Sequence, residues 1–489
     1  MNVADLLRAS AGRYPDKPAL LAGDTPGLTF SELDARVDAV AAGVLEKGAG
    51  AGDRVALAMH NVPDFVSCYF GILRAGAVVV PLNPMLTEPE VRTVLADSGA
   101  RLVLGTPPAI AVAADVASDL PGVGVVDVTG WTPAPVVTEA TETSSDDLAV
   151  LAYTSGTTGE PKGAMLTHGN LLANIDQQMS VDAHVESSDV LLLSLPLFHI
   201  FGLNVTLGLL ARTGATGVLV ERFEPVECLR VMEKHGVTVM FGAPTMYTAL
   251  VNTPGADQYD LSSVRLAISG AAPLSAEVLT QFKDIFGIDI YEGYGLTETA
   301  PTLTSNRVAE APRPASIGKP LPGVEVRLVD EAGEDVELGD PGEILVRGPN
   351  VFKGYWNKPD ETESAFSDGW FRTGDVAVRD EDGYLYIVDR KRDLVIVSGF
   401  NVFPSEVEHA LVQNPKISEA AVVGVPHTYT GEAVKAFVVL EAGATATEDE
   451  LIEDAQSRLA RFKCPRSIEI VDELPHLLTG KVLRRALRT

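Results

Sequence analysis

Residues 153–163 read Tyr-Thr-Ser-Gly-Thr-Thr-Gly-Glu-Pro-Lys-Gly. Thr154, Ser155, Thr157 and Thr158 supply hydroxyl donors, and Lys162 supplies a point charge. Gly156, Gly159 and Gly163 permit close backbone approach and positive φ. Main-chain N–H groups in such a turn form a concave anion site, so the chemistry on offer is a grip on a phosphate chain. Composition alone would read as a polar surface loop, and the span is expected to be neither helix nor stable strand. Its flanks give it more meaning. Leu148 to Ala152 reads as a buried strand and Thr167 to Ile175 as a helix, and a glycine-rich loop between strand and helix commonly holds phosphate. It is not the Walker loop, in which Gly-Lys precedes Ser or Thr, because Lys162 stands between Pro161 and Gly163.

Further segments carry chemistry in a fixed order: Ser194-Leu-Pro-Leu-Phe-His-Ile-Phe-Gly202, Gly270-Ala-Ala-Pro273, Tyr291-Glu-Gly-Tyr-Gly-Leu-Thr-Glu298, Trp370-Phe-Arg-Thr-Gly-Asp375, Tyr386-Ile-Val-Asp-Arg-Lys-Arg-Asp393 and Leu478-Thr-Gly-Lys-Val-Leu-Arg-Arg485. With the 153–163 loop, they resemble the signatures of the adenylate-forming enzymes, the superfamily of acyl-CoA synthetases, stand-alone adenylation domains and firefly-type luciferases. The resemblance covers nearly the whole chain.

It implies an ATP and AMP site made by Thr154, Ser155, Gly156, Thr157, Thr158, Gly159 and Lys162, by Gly270, Ala271 and Ala272, and by Glu292, Gly293, Tyr294, Gly295, Leu296 and Thr297. The physical logic suits a nucleotide at the carboxyl edge of a parallel sheet, with Tyr294 as a stacking face and the Thr297 hydroxyl on phosphate. Glu298, with Thr158, would take Mg2+, hard oxygens for a hard cation. Asp375 would accept from the ribose hydroxyls, with Ile387 and Arg390 completing the pocket. His199 would lie beside the substrate carboxylate, although a lone histidine in an apolar run is more often a core residue; its place between Pro196 and Gly202 favours a site role. Lys481 would neutralise charge on the carboxylate and α-phosphate. One departure is His476-Leu477-Leu478, where relatives often carry Lys or Arg and small polar residues. Arg392 stands where the family hinges, a few residues absorbing a large φ/ψ change, and Ser398, Gly399 and Phe400 would face the thiol of CoA.

These residues need a scaffold. Strand and helix signals alternate over the first hundred residues: Arg54–Met59, Ala77–Pro81 and Arg101–Leu104 as strands, Val62–Leu73 and Glu88–Ala96 as helices. Ser31 with Asp34 reads as the cap of an amphipathic helix. Such alternation implies βαβ units and parallel sheets covered on both faces. After about residue 315, period-two runs at Val324–Val329 and Gly342–Gly348 imply antiparallel sheet in a small barrel-like subdomain. Beyond Arg392 a compact α+β unit is expected, with a hairpin across Asp389–Asp393, a helix from Ser405 to Val412, strands Ala420–Val425 and Ala433–Leu440, and a helix from Glu448 to Leu459. The fold class is therefore α/β: a large N-terminal domain over 1–390 of doubly wound sheets plus the β-rich subdomain, then a small mobile α+β domain over 391–489.

The 489 residues exceed what one core normally supports. A net charge of −29 and a pI near 4.6 argue against nucleic acid and anionic lipid as partners. Cys68, Cys228 and Cys464 are too dispersed for a disulfide or metal framework, which fits a reducing cytoplasm. The N-terminus lacks the basic and apolar regions of a signal peptide, and the last three residues are not a peroxisomal address. The apolar stretch Val190–Ala211 carries Ser194, Pro196, His199 and Asn204, so a buried strand–turn–helix is expected rather than a membrane span. A homodimer is compatible with the chain.

For the acid, the C-terminal third looks most like medium- and long-chain fatty-acyl-CoA synthetases, through Val397–Pro404, Gly431–Lys435 and Asp472–Pro475. Candidate pocket walls are Phe198, His199, Phe201, Asn204, Phe241, Gly242, Ala243, Met246, Gly270 and Gly295, mostly apolar. No acidic residue lies in Phe198–Asn204 to hold an amino acid's ammonium. The expectation is ATP-, Mg2+- and CoA-dependent ligation of a fatty acid, with an aryl or other small acid as competitor and a carrier protein as alternative acceptor. A binding protein without turnover is disfavoured by Lys162, Glu298, Asp375, Arg390 and Lys481 standing together.

Overall fold

The computed structural model describes residues 1–489 except 24, 132–140, 155–160, 309–311, 391–392, 398–399, 428–429, 477–481 and 488–489. The described chain forms two compact units, Met1–Glu325 with Arg347–Phe371, and Val326–Val346 with Arg372–Thr489.

The first unit holds two large sheets. One orders the strands Gly124–Asp127, Leu102–Gly105, Arg54–Ala58, Val78–Leu82, Leu148–Thr154 and Lys162–Thr167. Every neighbouring pair is parallel except the last, an antiparallel hairpin. Val78–Leu82 is buried at every position, as expected of a strand covered on both faces. The other sheet orders Lys319–Pro320, Thr302–Ser305, Ile290–Gly295, Leu266–Ser269, Val239–Gly242, Val190–Leu193, Thr216–Leu219, Pro18–Ala22 and Thr25–Thr29. It is parallel from Ile290–Gly295 to Pro18–Ala22 and antiparallel at both edges. The doubly wound architecture is thus as expected, and the helices Pro63–Arg74 and Glu88–Ser98 fall within two residues of their expected bounds.

One local expectation changes, and another holds with an added detail. The helix Phe30–Glu46 is capped by Thr29, not Ser31. Thr29 N donates to Glu32 Oε2 at 2.8 Å while Glu32 N donates to Thr29 Oγ1 at 3.2 Å, a reciprocal box that satisfies two orphan donors. The apolar stretch near 190–211 is the strand Val190–Leu193 followed by a π-helix, Phe201–Leu207, that runs into the α-helix Gly208–Thr213. No helix of the described residues is long and apolar enough to cross a membrane.

The β-rich part after residue 315 is an open path of strands, Glu325–Val329, Gly342–Arg347, Trp370–Arg379 and Phe366–Ser367, with Leu385–Arg390 pairing Trp370–Arg379; no closed barrel is needed. The second unit's other sheet orders Phe400–Val402, Val395–Val397, Gly431–Leu440 and Ile417–His427, with Ser467–Ile470 beside Gly431–Leu440. Helices Pro404–Val412 and Glu448–Arg458 lie near their expected places. Among the described residues no hairpin forms across Asp389–Asp393. Leu385–Arg390 pairs backwards onto Trp370–Arg379, whereas Val395 and Val397 bury in the C-terminal core and pair with Phe400–Val402.

His168, the first residue of the helix His168–Met179, is fully buried, and its Nδ1 accepts the Val3 N–H at 3.1 Å. Its Nε2 has no partner among the described residues. Burial, with a smaller push from the chain's own amino terminus, lowers its pKa from 6.5 to about 4. The native state therefore holds this imidazole neutral while the unfolded chain takes up a proton below about 6.5. Stability is intact above that pH and falls toward pH 4, by on the order of 3 kcal/mol in total. His168→Asn, which keeps an acceptor near Nδ1 but does not titrate, should flatten the fall in urea midpoint between pH 6.5 and 4; an undiminished fall would remove His168 as its source.

Candidate active site

The strands on either side of residues 155–160 pair with each other. Leu148–Thr154 pairs antiparallel with Lys162–Thr167, Tyr153 opposite Gly163 and Thr154 opposite Lys162. The helix begins only at His168, after a full second strand, so the expected strand–loop–helix order is corrected. Thr154 and Lys162 are themselves strand residues, and a strand's length separates the helix N-terminus from the loop. Ser155, Gly156, Thr157, Thr158 and Gly159 lie outside the described residues.

The hairpin's base is tightly specified. A Cβ at Gly163 would fall 2.9 Å from Leu151 Cδ1 and 3.1 Å from Tyr153 Cζ. Tyr153 is fixed in turn, its hydroxyl donating to Asp97 Oδ2 at 2.6 Å. Burial, and then that carboxylate, push the phenol's pKa up. Trp356 Nε1 donates to the Asp97 carbonyl at 3.0 Å. The segment 353–356 docks along the second strand through Lys353 N to Met165 O, Met165 N to Gly354 O and Trp356 N to Gly163 O, all between 2.8 and 2.9 Å.

That docking carries Tyr355 to the site, a residue the sequence reading missed. Its hydroxyl donates to Glu298 Oε1 at 2.9 Å, and Lys162 Nζ lies 5.3 Å from its ring centroid. Burial and the Glu298 charge raise its pKa. The available signal was Gly354-Tyr355-Trp356, an aromatic pair after a glycine; nothing in its spacing pointed to Lys162. Glu298 is 8 % exposed in the 3-10 turn Thr297–Thr299. No cluster of three or more His, Cys, Asp or Glu suited to a metal occurs among the described residues. Mg2+ in nucleotide sites takes one or two carboxylates plus phosphate oxygens, so a single buried carboxylate with one oxygen already oriented fits that ion.

At the carboxyl edge of the nine-stranded sheet, Gly242 is level with Ser269 and Ser269 with Glu292. Ser269 Oγ, Glu292 Oε2 and Ser194 Oγ, the last one residue beyond its strand, are buried without partners among the described residues. Buried polar atoms are ordinarily paired, so three orphans on three strands toward this edge mark a place where a polar ligand would sit. Glu292 Oε1 accepts the Leu274 N–H at 3.2 Å, and burial pushes its carboxyl up to about 7. Ala271 adopts φ 74°, a left-handed conformation rare for a residue with a Cβ and a strain found preferentially at functional sites. Gly293, Tyr294 and Gly295, which complete the strand, and Leu296 and Thr297 beyond it are half-buried. A Cβ at Gly295 would sit 1.8 Å from the Pro301 carbonyl oxygen, so only glycine fits there.

The acyl-side residues converge around the π-helix. Phe201 and Phe241 meet edge to face, centroids 6.4 Å apart, and Gly270 lets the Phe201 ring approach, since a Cβ there would be 3.1 Å from its Cε1. Ala243 and Met246 are buried, Phe198 half-buried. His199 Nδ1 accepts the Phe201 N–H at 3.3 Å, and burial lowers its pKa. A neutral imidazole that accepts at Nδ1 carries its proton on Nε2, leaving a donor suited to a carboxylate. Asn204 spends its Nδ2 on the Leu171 and Ala300 carbonyls at 3.2 and 2.6 Å, while its Oδ1 is buried with no partner among the described residues.

In the second unit Asp375 is buried and stands opposite Arg390 across an antiparallel pair, with Ile387 opposite Ala377. Asp375 N donates to Thr373 Oγ1 at 3.1 Å, and Thr373 Oγ1 to Ile344 O at 2.9 Å. Phe400 begins a strand opposite Val397. Lys481, Arg392, Ser398 and Gly399 lie outside the described residues.

Asn204→Ala would strip two buried carbonyls of their donor, so a loss of about 2–4 kcal/mol is expected, read as a lowered thermal midpoint. Asn204→Asp, which loses the donor but keeps the shape, should be no better; a wild-type midpoint in both would refute this pinning role.

The family model for AMP-binding enzymes matches residues 7–356, and that for the AMP-binding enzyme C-terminal domain matches 406–481. A long-chain-fatty-acid–CoA ligase of Bacillus subtilis is 38 % identical over 99 % of this chain and 94 % of that protein. A feruloyl-CoA synthase of an Amycolatopsis species is 41 % identical over 97 % of this chain and 96 % of that protein. Among solved structures, ATP-bound MatB from Rhodopseudomonas palustris superposes with a TM-score of 0.92 at 35 % identity, covering 100 % of this chain and 98 % of that one. The anthranilate CoA ligase AuaEII, in complex with anthranoyl-AMP, gives 0.90 at 30 % identity, covering 100 % and 96 %. The chain belongs to the AMP-binding enzyme family, the adenylate-forming ligases.

Proposed function

We propose that the protein is an ATP-dependent acyl-CoA ligase that activates a medium- or long-chain fatty acid. The observation that carries this is the gathering of Lys162 and Glu298 on the one side chain of Tyr355. A cation for phosphate oxygens and a carboxylate for their counter-ion thus stand together, and the sequence that leads to Lys162 is rich in hydroxyl donors.

The substrate carboxylate attacks the α-phosphorus of ATP, forming a mixed anhydride with AMP and releasing pyrophosphate. The loop from Thr154 with Lys162 grips the phosphates, and Ser269 and Glu292 lie where the sheet edge meets the nucleotide. The Nε2–H of His199 orients the carboxylate. Mg2+, held by Glu298 and Thr158, would neutralise charge on the phosphate oxygens. Asp375 and Arg390 bind the ribose side. Lys481 stabilises charge in the adenylation step; a segment hinged at Arg392 then presents Ser398, Gly399 and Phe400 to the CoA thiol, which displaces AMP. Preorganised charge of this kind commonly supplies the largest part of such catalysis.

An aryl acid is the second reading. It is favoured by the Phe201–Phe241 edge-to-face wall and by the feruloyl-CoA synthase relative. Both readings agree on an apolar acid body, and the absence of an acidic residue from Phe198–Asn204 disfavours amino acids.

Pyrophosphate release measured across fatty, aryl and amino acids, with and without CoA, should be strongest with fatty acids and yield a thioester only when CoA is present. Strongest release with cinnamic-type acids would establish the second reading, and thioester formation only on a carrier protein would replace CoA as acceptor. Lys481→Ala should slow acyl-adenylate formation about a hundredfold or more while sparing thioester formation from preformed adenylate. Normal pyrophosphate release in that variant would remove Lys481 from the chemistry.

A further inference from the structure

Lys162 and Glu298 arrive from different sheets, the first opening the hairpin's second strand and the second in the turn after Ile290–Gly295. Tyr355 touches both, and its backbone is held from both sides. Ala164 and Tyr355 form an antiparallel bridge, and Phe352 N donates to the Glu298 carbonyl at 2.8 Å. The Phe352 and Tyr355 rings meet edge to face at 4.9 Å. We propose that Tyr355 is a positioning residue that presets the Glu298 carboxylate for the divalent cation of a metal–nucleotide complex and seats the Lys162 ammonium beside it. This rests on the reading of Glu298 as a metal ligand.

The physical case has three parts. A glutamate side chain has three rotatable bonds, and ordering them on binding costs affinity; a hydrogen bond formed on folding removes that cost in advance. A carboxylate has about four lone-pair directions, so accepting one phenol proton leaves capacity for a cation. An ionised acceptor also makes the stronger kind of hydrogen bond. The same ring, offering its π-face to Lys162, gives the cation a seat that does not require Glu298 as its partner.

The two functions separate by substitution. Tyr355→Phe keeps the ring under Lys162 and removes only the hydroxyl, whereas Tyr355→Leu removes both. The probe is Mn2+ with a non-hydrolysable ATP analogue, free Mn2+ being counted by electron paramagnetic resonance. Binding of the analogue without metal is followed by calorimetry. Tyr355→Phe should weaken Mn2+ about tenfold with metal-free nucleotide binding unchanged. Tyr355→Leu should weaken both. In a Glu298→Gln background, Tyr355→Phe should add nothing further, as a double-mutant cycle requires of an effect transmitted through that carboxylate. Unchanged Mn2+ affinity in Tyr355→Phe overturns the proposal, and so does an equal loss of metal-free binding, which would make the hydroxyl merely structural. Failure of the parent protein to take up Mn2+ with nucleotide would instead refute the metal role of Glu298, and this proposal with it.

Discussion

The site depends on the register of one hairpin. Because Tyr153 faces Gly163 and Thr154 faces Lys162, the lysine leaves the strand on a defined side, and the segment 353–356 can pair with Gly163 and Met165 just beyond it. A slip by one residue would turn every side chain to the opposite face and would carry Lys162 away from the Tyr355 ring. Several contacts oppose that slip. Gly163 lets the Tyr153 and Leu151 side chains approach its backbone closely, and Asp97 ties Tyr153 and Trp356 to the same helix end. The placing of Lys162 beside Tyr355 is therefore set by antiparallel pairing and aromatic packing.

A second constraint is the cost of burying polar atoms. Ser194, Ser269, Glu292 and Asn204 each carry a buried atom with no partner among the described residues. Each such atom costs about 1–3 kcal/mol, a liability tolerated where ligand atoms restore the missing bonds. Ser194 and Ser269 stand at strand ends, Glu292 lies within its strand, and Asn204 stands in a π-helix, a distortion frequent at functional sites. The parallel sheet delivers its strand ends to one edge, and this chain leaves unpaired polar atoms there.

Much of this was legible in the sequence. The βαβ alternation over the first hundred residues is local patterning, and Arg54–Ala58, Val78–Leu82 and Glu88–Ser98 appear close to where periodicity put them. The motif segments around Lys162, Gly270 and Glu298 are contiguous, so their chemistry could be read without knowing the fold. Pairing partners were harder. Lys162–Thr167 looked like loop and helix start because Gly163 and the preceding proline mask a short strand, and its strand character comes from Leu148–Thr154 alongside it. Ser31 reads as the cap because it directly precedes the apolar run, and the cap at Thr29 shows only in its reciprocal contacts with Glu32. Tyr355 could not be found from spacing, since its importance comes from a strand pairing that joins distant parts of the chain.

The second unit contains one arginine with an unusual burden. Arg484 lies 3.8 Å from Asp389, 3.4 Å from Asp393 and 2.7 Å from Glu408, and only 18 % of its side chain is exposed. Three carboxylates thus converge on a single guanidinium, and its one positive charge is divided among them. Pulling residue 484 away would leave those carboxylates repelling one another in a half-dry setting, where water would have to enter at once. Parting residue 484 from its carboxylates and wetting that nook thus amount to a single event.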